Sequence, residues 1–205
     1  MTRSSNPALV IATRNPGKVR EFQRMLSDLP FRILSLDDAG VSATVEETGT
    51  TFLENATLKA RGYAEASGLL TLAEDSGLEV DALGGAPGVY SARYARQGQT
   101  DEEGVQKLLE EMEDVPGWKR QARYRAVIAI AGPPLGDEVK TFEGACEGAI
   151  SHVPAGDGGF GYDPVFWVPA ARKTAAEMRP EEKDAISHRG AAARSAAQFL
   201  RSLTL

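Results

Sequence analysis

One cysteine, Cys146, occurs in 205 residues. The chain therefore forms no internal disulfide and has no cysteine-based metal cluster, which fits a reducing compartment. Cys146 itself reads as a small, half-buried strand residue. Histidine is scarce too, with only His152 and His188. No apolar run approaches the ~20 residues that span a bilayer, and residues 1–8 lack the basic start and apolar centre of a secretory signal. A cytoplasmic protein with no membrane partner is the expectation. Positive charge is short as well: 23 Lys and Arg face 29 Asp and Glu, a net charge of −6. That balance leaves no broad footprint for nucleic acid. A polyanionic ligand would have to be met by a local cluster and a metal. Internal repeats and low-complexity linkers are also missing, so residues 1–205 read as a single domain.

What is present is a hydrophobic content of 42%, enough for a core. Residues 8–12 form a short apolar run, followed by Asn15-Pro16-Gly17 and then by Val19, Phe22, Met25, Leu26 and Leu29 at helical spacing. The pattern predicts strand, loop, helix. A second helix is predicted over 51–67, where Phe52, Leu53, Ala56, Ala60, Tyr63 and Ala64 make one stripe and Gly68 stops it. Residues 69–73 and 78–80 read as two short strands flanking an acidic turn, Glu74-Asp75-Ser76-Gly77. A helix is predicted over 101–112. Residues 120–131 and 138–150 read as a long antiparallel hairpin, and residues 187–203 as a final Ala-rich helix with Ala192, Phe199 and Leu200 inward. Parallel-type units beside a hairpin predict an α/β protein with a mixed sheet and flanking helices.

Six segments are candidates for chemistry. Thr13-Arg14-Asn15-Pro16-Gly17-Lys18 opens a helix at a strand end, where free backbone N–H groups and the helix dipole favour a phosphate. It is not a Walker A loop, since Val19 follows the lysine, and Asn-Pro-Gly is also an ordinary helix-starting turn. Glu46 and Glu47 precede Thr48-Gly49, and Glu74 and Asp75 precede Ser76-Gly77. Magnesium takes one or two protein carboxylates plus waters and phosphates, so two acidic loops meeting over a triphosphate suffice, with a carboxylate left to deprotonate water. Acidic pairs in polar turns are also common solvated caps. Thr51, Asn55 and Lys59 form a polar stripe on the second helix, readable as a solvated face or as phosphate contacts. Phe160, Gly161, Tyr162 and Asp163 combine aromatic rings with a carboxylate, as a base pocket does and as an ordinary tight corner does. Lys183, with Ser187, His188 and Arg189, begins the final helix, while His152 reads as structural.

The order and wording of these segments resemble the inosine triphosphate pyrophosphatase family, the house-cleaning enzymes for non-standard purine nucleotides. The likeness runs over nearly the whole chain and adds Phe52-Leu53-Glu54-Asn55-Ala56 and residues 83–93 to the segments above. It implies that Thr13 to Lys18 hold the triphosphate with help from Lys59. Asp75 is implied as the proton acceptor for water, and Glu46, Glu47, Glu74 and Asp75 as the candidate magnesium ligands. Ser76 would lie against the substrate, Phe160 to Asp163 would line the base pocket, and Lys183, His188 and Arg189 would close on base and phosphates. The resemblance further implies a homodimer, two lobes around a cleft, and cleavage of inosine, deoxyinosine or xanthosine triphosphate to monophosphate and pyrophosphate. One departure is Arg14, where the family often has glycine. Two rivals stand beside this reading: a related pyrophosphatase for modified pyrimidine nucleotides, and a non-catalytic nucleotide-binding protein.

Overall fold

A computed structural model describes residues 6–203 of the chain. Seven strands form one sheet in the order β2-β1-β3-β4-β5-β6-β7: β1 Ala8–Ile11, β2 Arg32–Ser35, β3 Leu70–Val80, β4 Gln121–Ala131, β5 Lys140–Ile150, β6 Phe166–Val168 and β7 Lys173–Thr174. β1 pairs in parallel with β2 and with β3, whereas β5–β6 and β6–β7 are antiparallel. The sheet is therefore mixed, as the sequence predicts. Helices are α1 Pro16–Met25, α2 Phe52–Ser67, α3 Asp101–Glu111, α4 Pro180–Ile186 and α5 His188–Ser202. Among the described residues, no helix is long and apolar enough to cross a membrane.

The chain divides into two compact units. The first takes the described residues up to 75, with 127–143 and those from 192. Its central strand β1 is an almost uninterrupted apolar segment, with Leu9, Val10 and Ile11 at most 1% exposed, as expected of a strand covered on both faces. α1 starts where it does because Pro16 stands in its first turn and the Asn15 side chain accepts from Lys18 N at 3.0 Å. α2 opens with a reciprocal cap: Thr51 Oγ1 accepts from Glu54 N, and the Glu54 carboxylate accepts from Thr51 N. Such a cap contributes about 1 kcal/mol. Gly68 closes α2 at φ 67°, a left-handed conformation that costs glycine nothing sterically. The inward placement of Ala192 and Leu200 on α5 holds, both being buried, and Phe199 meets Phe142 ring to ring at 5.6 Å.

The second unit takes residues 76–126 and 144–191. Its core gathers Leu78, Val80, Leu108, Met112, Val165 and Phe166. Arg120 is buried there, yet its guanidinium is satisfied by the carbonyls of Met112, Val115, Ile150 and Ser151, which ties the end of α3 to the end of β5. A buried cation is tolerable on those terms.

Two expectations need correction. Glu74-Asp75-Ser76-Gly77 is not a turn between two strands: β3 runs unbroken through it for 11 residues. Lys183 does not begin the final helix but sits on its own short helix, α4. Ser187 separates the two, ending α4 and offering its Oγ to Gly190 N at 3.0 Å in α5.

Candidate active site

In the first unit β3 carries Glu74 and Asp75 into a buried position, 2% and 7% exposed. Consecutive strand residues point to opposite faces, and each carboxylate meets its own lysine. Lys18 Nζ, from the first turn of α1, lies 2.6 Å from Glu74 Oε2. Lys59 Nζ, from α2, lies 3.1 Å from Asp75 Oδ1 and 3.1 Å from Glu47 Oε2. Two ammonium groups thus face three carboxylates. Isolated buried carboxylates would be strongly disfavoured as charges; here a cation is folded in beside each.

Burial is the largest influence on Asp75 and raises its proton affinity above the ordinary carboxylate value, against the opposing pull of Lys59 and Lys18. Burial works to discharge Lys59, but Asp75, Glu47 and Glu74 outweigh it and hold the ammonium charged above its ordinary range. A carboxyl that binds protons more readily than usual while remaining within reach of a cation is suited to general-base work.

Asn55, 1% exposed, ties this cluster together. Its Oδ1 accepts from Gly49 N at 2.8 Å and its Nδ2 donates to Asp75 Oδ2 at 3.3 Å. The amide therefore links the loop of Glu46 and Glu47 to the carboxylate on β3. A side chain at Gly49 would strike Asn55 Oδ1 at 2.7 Å, so glycine is required for the close approach. Glu46 is exposed on the same loop.

The segment 13–18 forms the loop and first turn ahead of Lys18. Thr13 Oγ1 accepts from Asn15 N at 3.2 Å, and Gly17 is buried under the first turn of α1. Arg14 is turned elsewhere: its guanidinium bonds Asp37 and the carbonyls of Val41 and Ala43. It serves the 37–43 loop in this structure.

In the second unit Asp163, His188 and Arg189 are each no more than 3% exposed, and Lys183 7%. The Lys183 ammonium donates to Asp163 Oδ2, which also accepts from Phe160 N at 2.9 Å. Lys183 and Arg189 both lie over the Phe160 ring, 4.9 and 5.5 Å from its centroid, the geometry of a cation–π contact. Arg189 also donates to Ser76 Oγ at 3.0 Å, the residue next in sequence to Asp75. Phe160, Asp163, Lys183, Arg189 and Ser76 are thus brought together. Tyr162 is not: its ring belongs to the core and its hydroxyl donates to Ser91 O at 2.9 Å. Gly161 N donates to Asp101 Oδ2 at 2.6 Å.

Sequence reasoning missed one residue that contacts this group. Tyr124, on β4, stacks on His188 and carries no motif that would flag it. From the sequence Asn55, with Lys59 one turn later, reads as a candidate phosphate contact; the structure shows it bonded instead to Gly49 N and Asp75.

No group of three or more His, Cys, Asp or Glu side chains among the described residues gathers as a preformed metal cage. The oxygen-only set of Glu47, Glu74 and Asp75 instead suits a hard divalent cation that completes its shell with water and phosphate.

Known proteins resemble this chain over nearly its whole length. The Ham1 family model matches residues 9–199. A Shigella flexneri protein named dITP/XTP pyrophosphatase is 51% identical over 194 residues, covering 95% of this chain and 98% of its own. The structure of a HAM1 protein from Coxiella burnetii matches with a TM-score of 0.86 at 43% identity, over 96% of this chain and 100% of that one. The Staphylococcus aureus Ham1 protein matches with a TM-score of 0.83 at 41% identity, over 94% of this chain and 97% of that one. With two buried carboxylates on one strand, a lysine for each, and a likeness running nearly end to end, this chain belongs to the Ham1 family.

Proposed function

We infer that the protein is a hydrolase that cleaves deaminated purine nucleoside triphosphates, those of inosine, deoxyinosine and xanthosine, to the monophosphate and pyrophosphate. The observation that carries the reading is the cluster of Lys18, Lys59, Glu74, Asp75 and Glu47, which couples phosphate-binding cations to a carboxyl of raised proton affinity. A non-catalytic binder would need the lysines but not the buried acids.

In this reading Lys18, the 13–18 loop and Lys59 hold the triphosphate. Water attacks the α phosphorus, the bond from that phosphorus to the bridging oxygen of the β phosphate breaks, and pyrophosphate leaves with the bonding pair. Asp75 takes the proton of the attacking water, a role that contributes roughly 10²- to 10⁴-fold. Glu47, Glu74 and Asp75, with Glu46 beside them, would hold a magnesium ion. Bound there, that ion would polarise the phosphoryl oxygens and offset the charge of the leaving group. Phe160 offers a ring to the base, Ser76 lies against the substrate, and Asp163, Lys183, His188 and Arg189 supply polar contacts. Hypoxanthine and xanthine carry a 6-oxo acceptor that Arg189 can bond, whereas adenine places a donor there and leaves both groups unpaired.

The same reading takes residues 1–205 as one functional domain, acting as a homodimer in the cytoplasm on the nucleotide pool. Supporting it are the near-complete coverage of the Shigella relative and a net charge of −6, unsuited to nucleic acid. The test is incubation with magnesium and the triphosphates of inosine, xanthosine, guanosine, adenosine and the pyrimidines, with pyrophosphate and orthophosphate assayed separately. Pyrophosphate release concentrated on inosine and xanthosine triphosphates is expected. Orthophosphate as product, or a pyrimidine preference, would overturn the reading.

A further inference from the structure

Tyr124 stands outside every motif described above, yet its ring is held between two others. Its ring stacks on the imidazole of His188 with centroids 4.6 Å apart and planes only 11° from parallel. Phe166 meets the same ring at 4.6 Å with a tilt of 56°. Burial and the nearby Asp163 charge keep the Tyr124 phenol protonated well beyond the ordinary range. Tyr124, Asp163, Phe166, Lys183 and His188 line one small cavity.

A near-parallel stack constrains what a loose contact would not. Turning the imidazole about its Cβ–Cγ bond would tip its plane out of register with a phenol ring that is itself packed against Phe166. Imidazole N–H and lone-pair directions lie in the ring plane, so fixing the plane fixes where His188 can reach a hydrogen-bond partner. Position 188 is further anchored because Ser187 Oγ caps α5 by accepting from Gly190 N at 3.0 Å.

We propose that Tyr124 is a positioning residue for base recognition: by stacking on His188 it holds the imidazole in the one plane from which it can bond a purine edge. The proposal rests on the functional reading given above. It differs from simple packing in what it predicts, because a filler of space would lower stability without separating one base from another.

The test compares Tyr124→Phe, which keeps a stacking face, with Tyr124→Leu, which does not, alongside the unaltered enzyme. For the leucine variant the KM for inosine triphosphate should rise roughly three- to tenfold, the range set by a lost aromatic pair, with kcat within about twofold. Its preference for inosine over guanosine triphosphate should fall by a similar factor. The phenylalanine variant should restore both. A spectroscopic readout is independent of substrate: with only two histidines in the chain, the imidazole C–H proton resonances of His188 are assigned by difference in a His152→Gln background. Their ring-current shift should persist with phenylalanine and vanish with leucine. If the leucine variant does not fold, Tyr124→Met, equally without a stacking face but more adaptable in shape, replaces it. A folded leucine or methionine variant with unchanged KM and base preference overturns the proposal, and so does an equal loss of kcat on every base. An unaltered enzyme that releases no pyrophosphate from inosine triphosphate sinks the functional reading first, and the proposal with it.

Discussion

Lys59 Nζ lies 3.1 Å from Asp75 Oδ1, and both side chains are buried to within 10%. The lysine expected from the sequence to touch phosphates is thus also the counter-ion of the carboxyl read as the general base. Replacing it, as Lys59→Met, should do more than weaken nucleotide binding. With the cation gone, burial acts on Asp75 unopposed from that side and favours its neutral form, which cannot accept a proton from water. Turnover should fall by at least about 10²-fold. Breaking a buried pair by removing one partner costs about 3 kcal/mol, which urea unfolding without metal would register. Adding Asp75→Asn to the same chain should recover part of that loss, since the stranded charge is then gone. Additive losses in the double variant would show that the two groups do not depend on each other.

Gly159 has φ 74°, and a Cβ built there would stand 2.9 Å from Asp163 Cγ. Gly159→Ala meets two costs, a left-handed backbone unsuited to alanine and a collision with the carboxylate that holds Lys183. A rise in KM for the nucleotide is expected, with a loss of stability of about 1–2 kcal/mol. Unchanged KM in a folded variant would separate Asp163 from the site.

Burial pushes the Tyr162 hydroxyl up to about 12 from an ordinary value of 10.0. The folded state therefore holds this proton more tightly than the unfolded one. The resulting stability is fully present below the unfolded value and is lost as pH climbs through the folded value. Over that window the protein should lose up to about 2–3 kcal/mol that a Tyr162→Phe variant does not lose. Denaturant unfolding of both chains from neutral to strongly alkaline pH checks it; parallel curves would count against a buried, protonated phenol.

Much of this was legible in the sequence, and what was hidden had physical reasons. Asn15-Pro16 and Thr51 with Glu54 mark helix starts through local capping chemistry, which depends on neighbours three residues away and survives in any context. β1 announced itself as a continuous apolar run. Glu74-Asp75-Ser76-Gly77 misled because polar residues and glycine locally favour a turn. In the fold that segment continues a strand laddered between β1 and β4, and its acids meet lysines from α1 and α2, 56 and 16 residues earlier in the chain. The same distance hides the stack of Tyr124 on His188, 64 positions apart. Asp163 and Lys183 were visible as separate candidates, but nothing in the letters says that one binds the other. Tyr162 sits inside the same motif as Asp163, but from the turn at 161–165 its ring goes into the core.

Asn55 fits between Gly49 and Asp75 in only one orientation, oxygen toward the backbone N–H and nitrogen toward the carboxylate. Loss of ammonia from that single side chain, an ordinary event in the ageing of proteins, would turn the donor facing Asp75 into a second acid and set two like charges against each other. A protein whose work is to clear bases that have lost an amino group thus depends on one of its own amides escaping a similar hydrolysis, and burial inside α2, where the backbone is held away from the side-chain carbonyl, is what protects it.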